Sequence, residues 1–110
     1  VTDDIFDANS DIDGVFAVND FAAIGAMKVL KNRGKKIPED ISIIGFTNSV
    51  SSLFTDPALS SVDQHGKEVG RESARLLLKR LSEGVSEDDH TPQTRIVRTD
   101  LVIRDSSKKK

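Results

Sequence analysis

A chain of 110 residues, 36% apolar and 5% aromatic, is the size of one domain or of part of a larger one, and at that length it buries roughly 65% of its unfolded surface. Sixteen basic and 18 acidic residues leave a net charge of −2, without the basic excess that marks a nucleic-acid-binding surface. With no cysteine, the chain has no disulfides, thiol catalysis or cysteine-ligated zinc of its own, and no apolar run approaches the roughly 18 residues of a membrane span.

The start, Val1-Thr2-Asp3-Asp4, lacks an initiator methionine and has no signal-peptide pattern, which leads to the expectation of a fragment of a longer product. Residues 1 to 13 read as a short helix or a loop. Their aspartates form a solvated surface. Asp7, Asn9 and Asp11 alternate as in a calcium loop and Asp13-Gly14 follows, but Val18 stands where that loop needs a glutamate, so calcium is rejected. Gly14 to Val18 is a continuous apolar run and reads as a strand buried on both faces, as in parallel sheets. Asn19-Asp20 ends it, and an alanine-rich amphipathic helix is expected from Asp20 or Phe21 to about Arg33, with Asp20 as N-cap and Gly34 as the stop. Ile41 to Phe46 is a second strand, ended by Thr47-Asn48-Ser49. Strand, helix and strand make a βαβ unit with a parallel sheet, so the two polar strand ends fall on one edge. In open α/β sheets that carboxyl edge is where ligands bind.

Further along, Ser51 to Thr55 reads as one helical turn and Leu59 to Val62 as a short third strand. A long amphipathic helix is expected from about Gly66 to Glu83, followed by a charged loop from Ser86 to Pro92. Arg95 to Arg98 and Leu101 to Arg104 read as two short strands or one bent strand, and residues 106–110 as a disordered tail. Phosphate-loop, dinucleotide, nucleophile-elbow and zinc-protease motifs are all absent, and neither His65 nor His90 sits in a catalytic constellation. A helix N-terminus favours the ionised form of Asp20, so it reads as an acceptor or a cap rather than a proton carrier. The chain therefore reads as a non-enzyme with no cofactor and no metal.

The ordered set Asp13-Gly14-Val15-Phe16-Ala17-Val18-Asn19-Asp20, Ala23-Ile24-Gly25-Ala26-Met27, Ile37-Pro38-Glu39-Asp40-Ile41-Ser42-Ile43-Ile44-Gly45-Phe46 and Asp56-Pro57-Ala58-Leu59-Ser60-Ser61-Val62-Asp63-Gln64 resembles the effector-binding region of lactose-repressor/galactose-repressor transcription regulators. The resemblance runs from Asp13 to Asp105. It implies an α/β fold of two periplasmic-binding-protein-like lobes with a ligand cleft between them. Residues 1–63 would lie in the C-terminal lobe, residues 66–94 would cross to the N-terminal lobe, and residues 95–105 would return. It also implies a cytoplasmic homodimer that responds to a sugar or related metabolite and binds DNA through a helix-turn-helix outside this chain.

Carried over by position, Asn19, Asp20, Thr47, Asn48 and Gln64 are the implied ligand residues. Phe21, Ile24, Leu53 and Phe54 are the implied dimer surface. Thr47 departs from the aspartate that many members place there to bind a sugar hydroxyl, and Asn48 offers both a donor and an acceptor beside it. The same residues would also serve as strand stops, turn formers and core. A periplasmic or surface sugar-binding protein of the same fold is the alternative reading.

Overall fold

The structure is a computed structural model and describes residues 2–9, 11–82 and 91–107. The chain falls into two compact units, one of Val1–Asp63 with Asp100–Lys110 and one of Gln64–Thr99. In the first unit, helix α1 (Thr2–Ala8) is followed by strand β1 (Gly14–Phe16), helix α2 (Asp20–Asn32), strand β2 (Ser42–Phe46), a 3-10 turn (Val50–Leu53) and strand β3 (Ser60–Asp63). The second unit holds helix α3 (Gly66–Ser82), and strand β4 (Asp100–Val102) returns to the first.

The four strands form one sheet in the order β1-β2-β3-β4. β1 and β2 pair in parallel with Val15 opposite Ile43, and β2 and β3 pair in parallel with Ile44 opposite Ser60. β4 is antiparallel to β3, with Leu101 opposite Val62, so the sheet is mostly parallel rather than wholly so. The three parallel strands deliver Phe16, Phe46 and Asp63 to the same edge.

The core explains why these segments fold as they do. Ala23, Ala26, Met27 and Leu30 repeat at helical spacing and form the buried face of α2. Ala23, Met27 and Leu30 meet Ile43 of β2, Ile41 just before it, and Leu59. Fully burying a side chain such as Leu30, Ile43 or Leu59 contributes about 1.5–3 kcal/mol. Gly34, at φ 73°, adopts the left-handed conformation that closes α2. α1 is tethered by charge. Arg33 donates to Asp3 Oδ1 from Nη2 at 2.7 Å and pairs with Asp7 through Nη1 at 2.9 Å. The hydrogen bonds from Asp3 and then Asp7 hold the guanidinium pKa above its ordinary value.

Four sequence expectations are corrected. The apolar run after Gly14 is not buried throughout: Phe16 is 64% and Val18 78% exposed. β1 is the outer strand among the described residues and ends at Phe16, so the run leaves the sheet two residues before Val18. Residues 95–98 form no strand, and only Asp100–Val102 pairs with the sheet. Ser106 and Ser107 are not a loose tail. Ser106 is fully buried, its N–H donates to Ala58 O at 2.9 Å, and its hydroxyl donates to Ile43 O at 2.6 Å. The Ser107 hydroxyl pairs with that of Ser60 at 2.7 Å. The fourth correction, to the cap of α2, concerns the candidate site. Glu83, and the expected charged loop from Ser86 as far as His90, lie outside the described residues.

In the second unit, α3 is amphipathic but buries no residue, and Leu77, Leu78 and Leu81 are exposed. The carbonyl of His65 accepts from Glu68 and Val69 at the start of α3, and Arg80 donates to Thr91 O at 2.9 Å. Among the described residues no helix is long and apolar enough to cross a membrane.

Candidate functional site

The carboxyl edge of β1 and β2 is organised by Asn19 and Asp20, which divide the work differently from the sequence expectation. Asn19, not Asp20, caps α2. Its backbone is extended (φ −157°, ψ 166°), and its Oδ1 accepts from Ala22 N at 2.8 Å. Helical geometry begins one residue later, which turns Asp20 inward. Asp20 is 1% exposed. Its Oδ2 accepts from Ser49 N at 2.6 Å and its Oδ1 from Ser61 Oγ at 2.5 Å. The carboxylate thus joins the start of α2, the turn after β2 and the middle of β3. Burying a charge is costly unless charge-strengthened hydrogen bonds offset it, and these two do so.

Gly45 makes this arrangement possible. A Cβ there would overlap Asp20 Oδ1 and come within 3.3 Å of Asp20 Cα and 3.1 Å of Leu59 Cδ2. The strand therefore has to be bare at the point where Asp20 crosses it.

The turn after β2 is held in an uncommon backbone shape. Thr47 sits at φ 119° and Asn48 at φ 53°. Asparagine tolerates positive φ, whereas a β-branched residue there is strained. Thr47 is exposed, and its N–H donates to Val62 O at 2.9 Å. Asn48 is half-buried and tied on every side. Its N–H donates to Ser61 Oγ at 3.0 Å, its Nδ2 to Asp63 Oδ2 at 3.1 Å, and its Oδ1 accepts from Arg104 Nη2 at 2.6 Å.

Beside these polar groups lie two aromatic rings. Phe16 and Phe46 meet edge to face, with centroids 6.4 Å apart and an interplanar angle of 89°. The exposed Phe16 leaves aromatic surface open next to the exposed Asn19 and Thr47.

Four of the five expected ligand residues, Asn19, Asp20, Thr47 and Asn48, therefore gather on one edge of the first unit. Of these, Asp20 and Asn48 are held by internal side-chain hydrogen bonds, Asn19 is exposed with its Oδ1 capping Ala22 N, and Thr47 is exposed. Gln64, half-buried, is the first residue of the second unit. Sequence reasoning missed Phe16, Phe46, Ser61, Asp63 and Arg104. A signal existed for Phe46, in its place at the end of the expected second strand. None existed for the others: the end of β1 at Phe16 is seen only in the structure, and the partners of Ser61, Asp63 and Arg104 lie 13 to 56 residues away along the chain.

The expected dimer residues lie on a separate surface. Phe21 is exposed at the start of α2 and Ile24 is half-buried one turn on, while Leu53 and Phe54, the latter 82% exposed, project around the 3-10 turn. Ile24, Met27, Lys28, Lys31, Phe54 and Asp56 line a shallow groove there. Lys31 pairs with Asp56 across it at 3.8 Å.

The first unit is thus an α/β unit whose mostly parallel sheet carries amide, hydroxyl and aromatic groups at its carboxyl edge. The chain matches the periplasmic binding protein-like domain family over residues 3–107 and belongs to that family. It is 33% identical to the HTH-type transcriptional regulator CelR of Thermobifida fusca over 103 residues, covering 94% of this chain and 29% of CelR. It is 38% identical to the HTH-type transcriptional repressor CytR of Escherichia coli over 95 residues, covering 86% of this chain and 26% of CytR. Among solved structures, a CelR–cellobiose complex superposes with a TM-score of 0.87 at 32% identity, over 96% of this chain and 31% of that one. A lactose complex of a LacI family regulator from Arthrobacter sp. FB24 gives 0.82 at 30% identity, over 97% of this chain and 40% of the other. The chain thus corresponds to a fragment of the effector-binding core of lactose-repressor-type regulators, and it spans less than a third of these two curated relatives.

Proposed function

We propose that this chain supplies part of the effector-binding and dimerisation core of a DNA-binding transcription regulator that senses a sugar or a related neutral metabolite. One observation carries the reading: two parallel strand ends bring Asn19, Thr47 and the open face of Phe16 to one edge, while the neighbouring Asp20 and Arg104 are engaged by internal partners. Amide and hydroxyl groups match sugar hydroxyls, and an aromatic face suits the apolar C–H side of a sugar ring. The sugar-bound relatives support the same direction.

Asn19 and Thr47 contact the effector, and Asp20 and Asn48 hold the frame. The first unit forms part of one lobe of that core. The chemistry is binding rather than catalysis, and the setting is the cytoplasm. DNA is bound by a helix-turn-helix elsewhere in the protein. The effector acts by linkage: it favours one lobe arrangement, and operator affinity shifts by its differential affinity for the two states. Titrating the full-length gene product with cellobiose, lactose, ribose and glucose tests this. A sugar that binds stabilises the fold by about 2.7 kcal/mol at a hundred times its Kd. A flat response to the whole panel contradicts the sugar reading.

The dimer forms through Phe21, Ile24, Leu53 and Phe54. Phe54 is the most exposed apolar side chain of that surface, the kind of aromatic anchor that dominates interfaces. Phe54→Glu is expected to weaken dimerisation about 100-fold or more, which corresponds to a loss of roughly 3 kcal/mol. Sedimentation at micromolar concentration would then show monomer. An unchanged dimer would place the interface elsewhere.

A further inference from the structure

We infer that Arg104 is the positioning residue that sets the shape of the Thr47–Asn48 turn, and through it the presentation of Thr47 to the effector. The effector half of this inference rests on the function proposed above; the turn half does not. Arg104 lies just after β4, the strand by which the chain returns to the first unit. Its guanidinium reaches three acceptors from three segments. Nη1 donates to Leu59 O at 2.6 Å, before β3, and to Ser52 Oγ at 3.0 Å, in the 3-10 turn. Nη2 donates to Asn48 Oδ1 at 2.6 Å.

That last bond fixes which way the Asn48 amide points. With Oδ1 on a cation, Nδ2 is directed to Asp63 Oδ2, and the amide is locked between a positive and a negative group. Two consecutive positive-φ residues are costly and persist only when their surroundings over-determine them. Arg104 and Asp63 supply that determination from outside the turn. A lysine cannot replace Arg104, because one ammonium lacks the planar fork that spans separated acceptors. The main chain of Arg104 is held independently of its guanidinium: its N–H donates to Ser60 Oγ at 2.7 Å, and its carbonyl accepts from Ser60 Oγ at 3.2 Å. Removing the guanidinium therefore leaves the segment docked and frees the turn.

The test is amide hydrogen exchange in the full-length gene product bearing Arg104→Ala or Arg104→Lys. Both variants are expected to exchange at least about tenfold faster over residues 47–50, while β2 and β4 exchange as in the parent. Guanidinium ion at low millimolar concentration should restore slow exchange in Arg104→Ala, and methylammonium should not. Unchanged exchange at 47–50 overturns the inference. So does a uniform rise across the whole unit, or equal rescue by both cations, since each makes Arg104 a general stabiliser. If Arg104→Ala fails to fold, Arg104→Lys carries the test: a localised rise supports the inference and an unchanged turn overturns it. A protein that binds no sugar on the panel but shows guanidinium-specific rescue would refute the sugar reading and leave the role of Arg104 in the turn standing.

Discussion

Gly45→Ala should cost about 3 kcal/mol, at the upper end of what overpacking a core does. The added methyl meets three things at once: the Asp20 carboxylate, the Asp20 main chain and a Leu59 methyl. A flexible side chain end could yield, but Asp20 is pinned by Ser49 N and Ser61 Oγ, and the start of α2 is fixed by the Asn19 cap. Relief therefore requires α2 to move away from β2, which opens the contact of Ala23 and Met27 with Ile43. Exchange of the β2 and β3 amides by global opening should accelerate about 100-fold. Alanine at Gly14 or Gly25, where a Cβ would have no neighbour within 4 Å, should leave those rates within a few-fold. A tolerated Gly45→Ala would mean that the strand and helix do not meet as described.

Asp20→Ala is expected to be worse, by about 4 kcal/mol. The alanine removes one acceptor and strands two donors, Ser49 N–H and Ser61 Oγ–H, and a buried donor left unmade costs roughly 1–3 kcal/mol. Asp20→Asn should cost about half as much, since one oxygen still accepts while the new NH2 confronts a donor. The loss should appear in denaturant unfolding of the full-length protein as a lower midpoint, with exchange first rising at residues 47–50 and 60–63. If Asp20→Ala were near neutral in stability yet abolished effector binding, Asp20 would be a ligand contact and not a structural tie.

These two positions also show what the sequence makes legible. The strand–helix–strand order, the helix face at Ala23, Met27 and Leu30, the stop at Gly34 and the convergence of Asn19-Asp20 with Thr47-Asn48 follow from local periodicity and turn chemistry, which act within a few residues. What Asp20 does there does not follow, because its partners are Ser49 and Ser61, and a one-residue change in cap decides whether it faces solvent or core. The burial of Ser60, Ser61 and Ser106 is equally hidden. Serine in a short strand reads as exposed; the return of Arg104 to Ser107 onto β2 and β3 supplies the partners of Ser60, and Asp20 and the Asn48 N–H supply those of Ser61. Phe16 errs in the opposite direction: an apolar run signals burial, but the strand lies at the sheet edge and stops at that residue. Long-range pairing thus decided both the hidden polar layer and the open aromatic face.

The central claim is that this edge receives the effector, and Asn19 offers the cleanest measurement. Asn19→Ser retains a capping oxygen for Ala22 N while deleting the amide donors, so fold stability should change by only a few tenths of a kcal/mol. Calorimetric titration of the parent and of Asn19→Ser in the full-length protein, using the panel sugar that binds the parent, should show at least tenfold weaker binding in the variant at an unchanged melting temperature. Equal affinity in the two proteins would contradict the account and move the effector away from the carboxyl edge of β1 and β2.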